Sequence, residues 1–303
     1  MADEEVEASR PQAPWPQAPW PQAPWPQTVV RVIDTETAGH RLPDDAVIEI
    51  GSIDLDLETG EASNPMETLC DPAGVSISPG ARKVHNISDE ELQGAPPFAE
   101  ASLPFRSATL FAAHRASFDR SRLQFPGTWL CTWKLALRAF PEQRAHGLQT
   151  LVKRLGLEPD MPSRPPAGPG EHAGGAAQPH RALYDVACTV ALLRACHARL
   201  MPRCESTQDF IRRAARVAAE PALLTRLRFG KHKFEPLRDV PEDYLRWLVR
   251  EPDMDVDVVF SARRELARRE LVRQTPERPA PEQRETGPAR TGEPAETEET
   301  AFP

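Results

Sequence analysis

Apolar residues along the chain fall into short, dense runs at the start and into helical spacing later. Residues 28–34 are β-branched and nearly continuous, which predicts a buried strand. Residues 46–57 begin just as densely and then alternate (Ile53-Asp54-Leu55-Asp56-Leu57), so a strand half-buried over its second part is expected. Glu58-Thr59-Gly60-Glu61 reads as a turn, and residues 62–70 as a returning third strand. A Pro/Gly-rich loop is expected over 72–80, then a helix start at Ser88, where Glu91 stands at the reciprocal capping-box position. Residues 108–114 read as another strand, 116–124 as a short helix, and 133–140 and 148–155 as further helices. The Pro-, Gly- and Ala-rich stretch 159–179 reads as a long loop, mobile or a lid. A helix over 180–200 follows, apolar at Leu183, Val186, Ala187, Val190 and Leu193.

Three strands followed by alternating helix and strand predict an α/β domain over residues 28–200, a central mixed sheet flanked by helices. The character changes after Pro202. A basic helix over 207–219 (Arg212, Arg213, Arg216) and a final helix over 258–272 assign a small unit to residues 201–273.

Composition trims both ends of the 303 residues. Pro-Gln-Ala-Pro-Trp occurs three times between Pro11 and Trp25, so residues 1–27 are expected to be a disordered tail. Residues 274–303, rich in Glu, Thr and Pro, are expected to be another. Asp3, Glu4, Glu5 and Glu7 against Arg10 give the first tail −3, and seven Glu against three Arg give the last −4. Of the net −8, about −1 therefore remains for the folded part, which argues against gripping a polyanion by bulk charge. The five cysteines show no Cys-x-x-Cys spacing, so disulfides and a zinc site are not expected, and a cytoplasmic setting suits the chain. No basic leader with an apolar stretch and no membrane-length apolar run is visible.

Three segments carry candidate chemistry. Asp34 and Glu36 close the first strand two residues apart, so both side chains emerge on one face. Asp119 opens a helix after a later strand. His180 and Asp185 stand five apart at the start of the long helix, roughly 140° apart if that helix is regular at both. Four carboxylates and a histidine are the donor set of phosphodiester hydrolysis assisted by two divalent ions, with the histidine as general base for water. Each piece alone is commonplace: a solvated strand end, a helix cap, an exposed helix carboxylate. The ordered combination is not.

These segments (Asp34-Thr35-Glu36-Thr37, Ala113 to Asp119, and His180 to Asp185) resemble the three motifs of the DEDDh 3′→5′ exonucleases, which have a ribonuclease H-like fold. The likeness is to the exodeoxyribonuclease X branch. It runs through Val47 to Ser52, Val84-His85-Asn86-Ile87, Cys131-Thr132, and Phe229-Gly230-Lys231 with Tyr244 to Leu248 in the small domain. The resemblance implies metal ligation by Asp34, Glu36, Asp119 and Asp185, and His180 as base. It places Thr35, Thr37 and His85 near the terminal nucleotide. It implies two Mg2+ ions, with Mn2+ as a substitute. Arg115 stands where Asn is usual, Asn86 where Gly is common, and Phe234 where the small-domain motif has Gly; none removes a ligand.

The expectation is a metal-dependent exonuclease acting on single- or double-stranded DNA 3′ ends, in repair or end processing. An RNA 3′-end trimmer on the same fold and a non-catalytic nucleic-acid-binding module are the alternatives. The Pro/Trp tail reads as a linker or a segment for a protein partner, and Lys231 to Lys233 as candidate phosphate contacts.

Overall fold

The computed structural model describes residues 27–39, 45–159, 161–162 and 179–274. The two tails and most of the 159–179 loop lie outside the described residues.

Strand β1 (Val29–Thr37) runs through the whole Asp-Thr-Glu-Thr segment. β2 (Val47–Asp56) pairs antiparallel with it, β3 (Ala62–Leu69) antiparallel with β2, and Gly60 turns between them at φ 76°. β4 (Leu110–Ala113) adds parallel to the other side of β1, and β5 (Thr128–Cys131) parallel to β4. The sheet order is β3-β2-β1-β4-β5. The mixed sheet agrees with expectation, although β5, at four residues, is too short to stand out in the sequence.

The helices are α1 (Pro79–His85), α2 (Phe98–Ala101), α3 (Ser117–Leu123), α4 (Thr132–Ala139), α5 (Leu148–Leu155), α6 (Ala182–Leu200), α7 (Thr207–Ala219), α8 (Glu242–Arg250) and α9 (Val256–Gln274). On one face of the sheet Val30, Val32, Ile53 and Leu55 pack with Leu135 of α4, Leu151 of α5, Val186 and Val190 of α6, and Phe210 of α7. The other face buries Ile33, Phe111 and Trp129 under Phe105, Leu123 and Phe125. α7 thus packs within the large core, and a separate cluster (Leu227, Leu237, Val240, Leu245, Leu248, Val258) gathers around α8 and α9.

Several local expectations are corrected. Ser88 and Glu91 do form the reciprocal capping pair (Ser88 N–H to Glu91 Oε2, 2.8 Å; Glu91 N–H to Ser88 Oγ, 3.2 Å), but only turns follow. Gly94 at φ 77° and Pro96-Pro97 leave no room for a helix after the cap. The predicted loop 72–80 instead ends in α1, with Ser78 as N-cap accepting from Ala81 N–H at 3.2 Å and Pro79 in the first turn. β2 is buried nearly throughout rather than half-buried. Its Asp54 faces a second layer, where Arg31 donates to both carboxylate oxygens at 2.7 and 2.8 Å. The helix expected from His180 starts at Ala182, because His180 adopts a left-handed backbone (φ 66°) that a helix cannot contain.

One contact positions α6 on the sheet. A Cβ on Gly51 would lie 2.6 Å from the Ala182 carbonyl carbon and from Leu183 N, so the helix start touches the strand backbone directly. Gly51 pairs in register with Asp34, and the contact therefore sets the distance from α6 to the acid pair. We expect Gly51→Ala to cost about 2–3 kcal/mol, as overpacking does, and to lower Tm in thermal denaturation by roughly 5–10 °C. Gly80→Ala, in α1 with open space around it, should be neutral or stabilising by less than about 1 kcal/mol.

Candidate active site

The period of two along β1 puts Asp34 and Glu36 on the same face as Val30 and Val32, toward α6. Asp185 lies in the first turn of α6, and Asp119 in the first turn of α3, which follows β4 directly. All four carboxylates line one cleft of about 220 Å³, with Thr35, Thr37, His85, His114, Arg115 and Phe118. Asp119 and Asp185 are buried; Asp34 and Glu36 keep part of their surface open to the cleft.

Chain contacts orient each group. Asp119 Oδ1 accepts from Thr35 N–H at 3.1 Å and from Thr35 Oγ1 at 2.9 Å, so Thr35 is a bracket for Asp119. Asp185 Oδ1 accepts from Gln149 Nε2 at 2.5 Å and from His180 N–H at 3.3 Å. The exposed His180 ring sits at the rim, with Nδ1 3.8 Å from Asp185 Oδ2. Ligand atoms of Glu36, His180 and Asp185 lie within 4.8 Å of one another, close enough to share a cation. Because His180 precedes α6, the 140° helical separation does not apply; the left-handed turn brings ring and carboxylate together.

Crowding of like charge in a poorly hydrated cleft favours the protonated acids. Burial foremost, then Asp119 and Glu36, lift Asp34 well above the usual carboxylate range. Burial, then Asp185 and Glu49, push Glu36 from 4.5 up to about 9. Burial raises Asp119 from 3.8 to about 7 against the pull of the Thr35 hydrogen bonds. Asp185 is also raised, mainly by burial, with the His180 N–H and Gln149 opposing. Hard oxygen donors that cannot comfortably stay ionised together fit divalent cations, whose charge would reverse the repulsion.

The other two histidines are neutral. Burial, then Arg82 and Arg181, lower His85 to about 4. Its Nδ1 accepts from Ile87 N–H at 3.0 Å, so the proton sits on the buried Nε2, which has the Thr37 backbone carbonyl beside it. Burial lowers His114 to about 4 as well. Its ring spans Thr132 Oγ1 and the His146 carbonyl, each at 3.0 Å, which braces the segment leading to Asp119. Thr37 turns its hydroxyl to the Gly39 carbonyl at 2.6 Å.

Sequence reasoning missed three residues here. Gln149 carries no motif. Glu49, fully buried on β2, accepts from Arg181 Nε at 2.9 Å and from Ala182 N–H at 2.9 Å, which caps α6. Arg181 also donates to Glu91 at 3.3 Å. Glu49 and Arg181 are 132 positions apart, and only the alternation Ile48-Glu49-Ile50, a charge inside a buried run, hints at an internal partner.

Comparison with known proteins identifies the family of the chain. The RNase_T family model, described as exonuclease, matches residues 31–193. Exodeoxyribonuclease 10 of Escherichia coli (strain K12) is 35% identical over 230 residues, 74% of this chain and 92% of that protein. The DNA polymerase III subunit epsilon of Treponema pallidum (strain Nichols) is 31% identical over 140 residues, 41% of this chain and 63% of that protein. A solved structure of exonuclease X in complex with 5′ overhanging duplex DNA is 31% identical, with 62% of this chain and 99% of that one covered and a TM-score of 0.48. Matched by the model along more than half its length, and by a relative that spans most of both proteins, the chain belongs to the exonuclease (RNase_T) family.

Proposed function

We propose that the protein is a metal-dependent 3′→5′ exodeoxyribonuclease that removes nucleoside monophosphates from DNA ends. The observation that carries this reading is the convergence of Asp34, Glu36, Asp119 and Asp185 from three distant segments into one cleft, with His180 at its rim. The 35% identity with exodeoxyribonuclease 10 supports DNA as the polymer. Asp34, Glu36, Asp119 and Asp185 would hold two Mg2+ ions, or Mn2+ in their place. When bound, these cations supply the charge that neutralises the scissile phosphate and acidifies the attacking water.

The chain's own residues do the rest. His180 turns Nδ1 toward Asp185, which leaves Nε2 to take the proton of the attacking water. Its exposed position beside the carboxylates suits a group that must meet solvent once per turnover. Neutral His85 lines the part of the cleft where the terminal nucleotide would sit. Thr35 and Thr37 border the same space, and Thr35 holds Asp119 through its N–H and hydroxyl.

Digestion of 5′-labelled DNA and RNA oligonucleotides tests the reading. A magnesium-dependent ladder shortening from the 3′ end, faster on DNA and absent with EDTA or in Asp34→Ala, is the expected result. Uncut oligonucleotides with well-folded wild-type protein would sink it. His180→Gln should lower kcat by about 10²–10⁴-fold while cations still raise the Tm.

The carboxylates also set the pH response of the chelated protein. Glu36 at about 9 and Asp119 at about 7 lie above their unfolded values, so the folded chain binds more protons than the unfolded one between those limits. Stability therefore falls as pH rises from about 5 to about 9. Thermal melts in EDTA should show that decline, and excess Mg2+ should flatten it. Asp34→Asn should raise the Tm in EDTA, because it removes a carboxylate whose ionisation burial and its acidic neighbours oppose. A Tm in EDTA that climbs with pH would contradict the assignment.

A further inference from the structure

Four of the seven arginines on α8 and α9 make ion pairs within this small unit. Arg246 pairs with Glu242 at 2.6 Å, Arg268 and Arg269 with Glu265 at 2.7 and 2.8 Å, and Arg273 with Glu242 and Glu270 at 2.9 and 2.7 Å. The turn between Leu227 and Glu235 gathers several more cations. Arg228, Lys231 and Lys233 are exposed there, and none makes an ion pair with a described residue.

Aromatic rings accompany these charges. Lys231 Nζ lies 5.1 Å over the Tyr244 ring, and Tyr244 stands 5.1 Å from Trp247, centroid to centroid. Lys233 Nζ lies 5.0 Å over Phe234. Phe234 is 66% exposed, Trp247 41% and Phe229 36%. Phe234 holds its ring in solvent from a left-handed backbone (φ 70°), a conformation that costs a bulky residue roughly 1 kcal/mol or more. Its N–H reaches the Leu227 carbonyl at 2.8 Å, and its carbonyl accepts from Arg226 at 2.9 Å, so the turn is firmly closed. Gly230 belongs to the same construction: its φ is 70°, and a Cβ would lie 2.4 Å from the Tyr244 hydroxyl. A rigid, strained turn that presents rings to water gains nothing for folding from their exposure.

Arg228, at the start of the turn, acts electrostatically on Arg115 at the edge of the acidic cleft. Arg115 lines that cleft, stacks 4.5 Å over Trp133, and is close enough to Arg228 for the two charges to oppose each other. A cavity of about 700 Å³ also runs from Arg115 to Asp257 at the start of α9. Positive charge therefore continues from the cleft edge through Arg115 and Arg228 to Lys231 and Lys233.

We propose that the turn from Leu227 to Glu235, with the Tyr244–Trp247 side of α8, is a second nucleic-acid-binding surface that holds the single strand behind the 3′ end being cleaved. Phosphates meet Arg228, Lys231 and Lys233, and bases stack on Phe234 and Trp247, a pairing that tolerates any sequence. The near-neutral folded part supplies no bulk attraction, so a local surface of this kind is what would retain a long substrate between cuts. This inference rests on the exonuclease reading for its geometry, although the surface can be tested without turnover.

The test uses the full chain in EDTA, with fluorescence anisotropy of 5′-fluorescein dT20, beside turnover of dT20 and of dT4 in Mg2+. The variants are Trp247→Ala and the triple change Lys231→Gln, Lys233→Gln, Phe234→Gly. The triple variant should bind dT20 at least about tenfold more weakly, with a shallower salt dependence because two phosphate contacts are gone. Its KM for dT20 should rise at unchanged kcat, and its turnover of dT4, too short to reach the turn, should match wild type. Phe234→Gly alone should keep or raise the Tm, since glycine accepts the left-handed backbone, while still weakening dT20 binding. Binding of dT20 within twofold of wild type by folded variants overturns the proposal. So does an equal loss on dT20 and dT4, or unchanged DNA binding with altered self-association in light scattering, which would make the face a protein interface. Wild-type protein that binds dT20 through this turn yet shortens no 3′ end would refute the exonuclease reading and leave the surface standing.

Discussion

Four carboxylates that repel one another in a low-dielectric cleft are the constraint around which this structure is arranged. No local preference would gather Asp34, Glu36, Asp119 and Asp185, because each raises the cost of ionising the others. They stay together because the rest of the fold outweighs that repulsion. β1 is clamped between β2 and β4 at the sheet centre, and the apolar sides of α4, α5, α6 and α7 cover the face from which Asp34 and Glu36 emerge. A cleft of this kind has stored repulsion that cations can relieve, which links stability, metal binding and activity in one set of side chains.

The start of α6 is where the fold delivers its last acid. Gly51 lets the helix backbone rest on β2, and Glu49, two residues before it on the same strand, binds both the Arg181 side chain and the Ala182 N–H. A buried carboxylate thereby caps the positive end of a helix, a favourable arrangement for the dipole and for the unsatisfied N–H groups. Asp185 in the first turn shares that field. His180, expelled from the helix by its left-handed backbone, stays at the rim within reach of both Asp185 and solvent.

Environment separates three histidines that composition alone would treat alike. His85 and His114 are desolvated and neutral, one in the cleft lining and the other used as an internal brace. His180 is half in solvent beside an acid, which suits proton transfer. The cations differ in the same way: Arg246, Arg268, Arg269 and Arg273 are held by neighbouring carboxylates, whereas Lys231 and Lys233 of the turn after Leu227 lie over aromatic rings.

Much of this was legible in the residues themselves. Period-two spacing placed Asp34 and Glu36 on one face, the dense apolar runs marked the first strands, and the order of acid pair, later Asp, then His and Asp pointed to the family and the cleft. These signals are local, and local backbone geometry is what a sequence encodes directly. Tertiary structure decided the rest. Ser88 and Glu91 carry a sound capping box, yet the Gly94 and Pro96-Pro97 that follow leave it without a helix. Asp54 reads as a solvent-facing position until Arg31 is found over it. Gln149 reaches Asp185 across 36 positions, and Arg181 reaches Glu49 across 132. Such partners meet only after the sheet and helices have packed, because their pairing free energy depends on burial and distance that no short window of sequence contains.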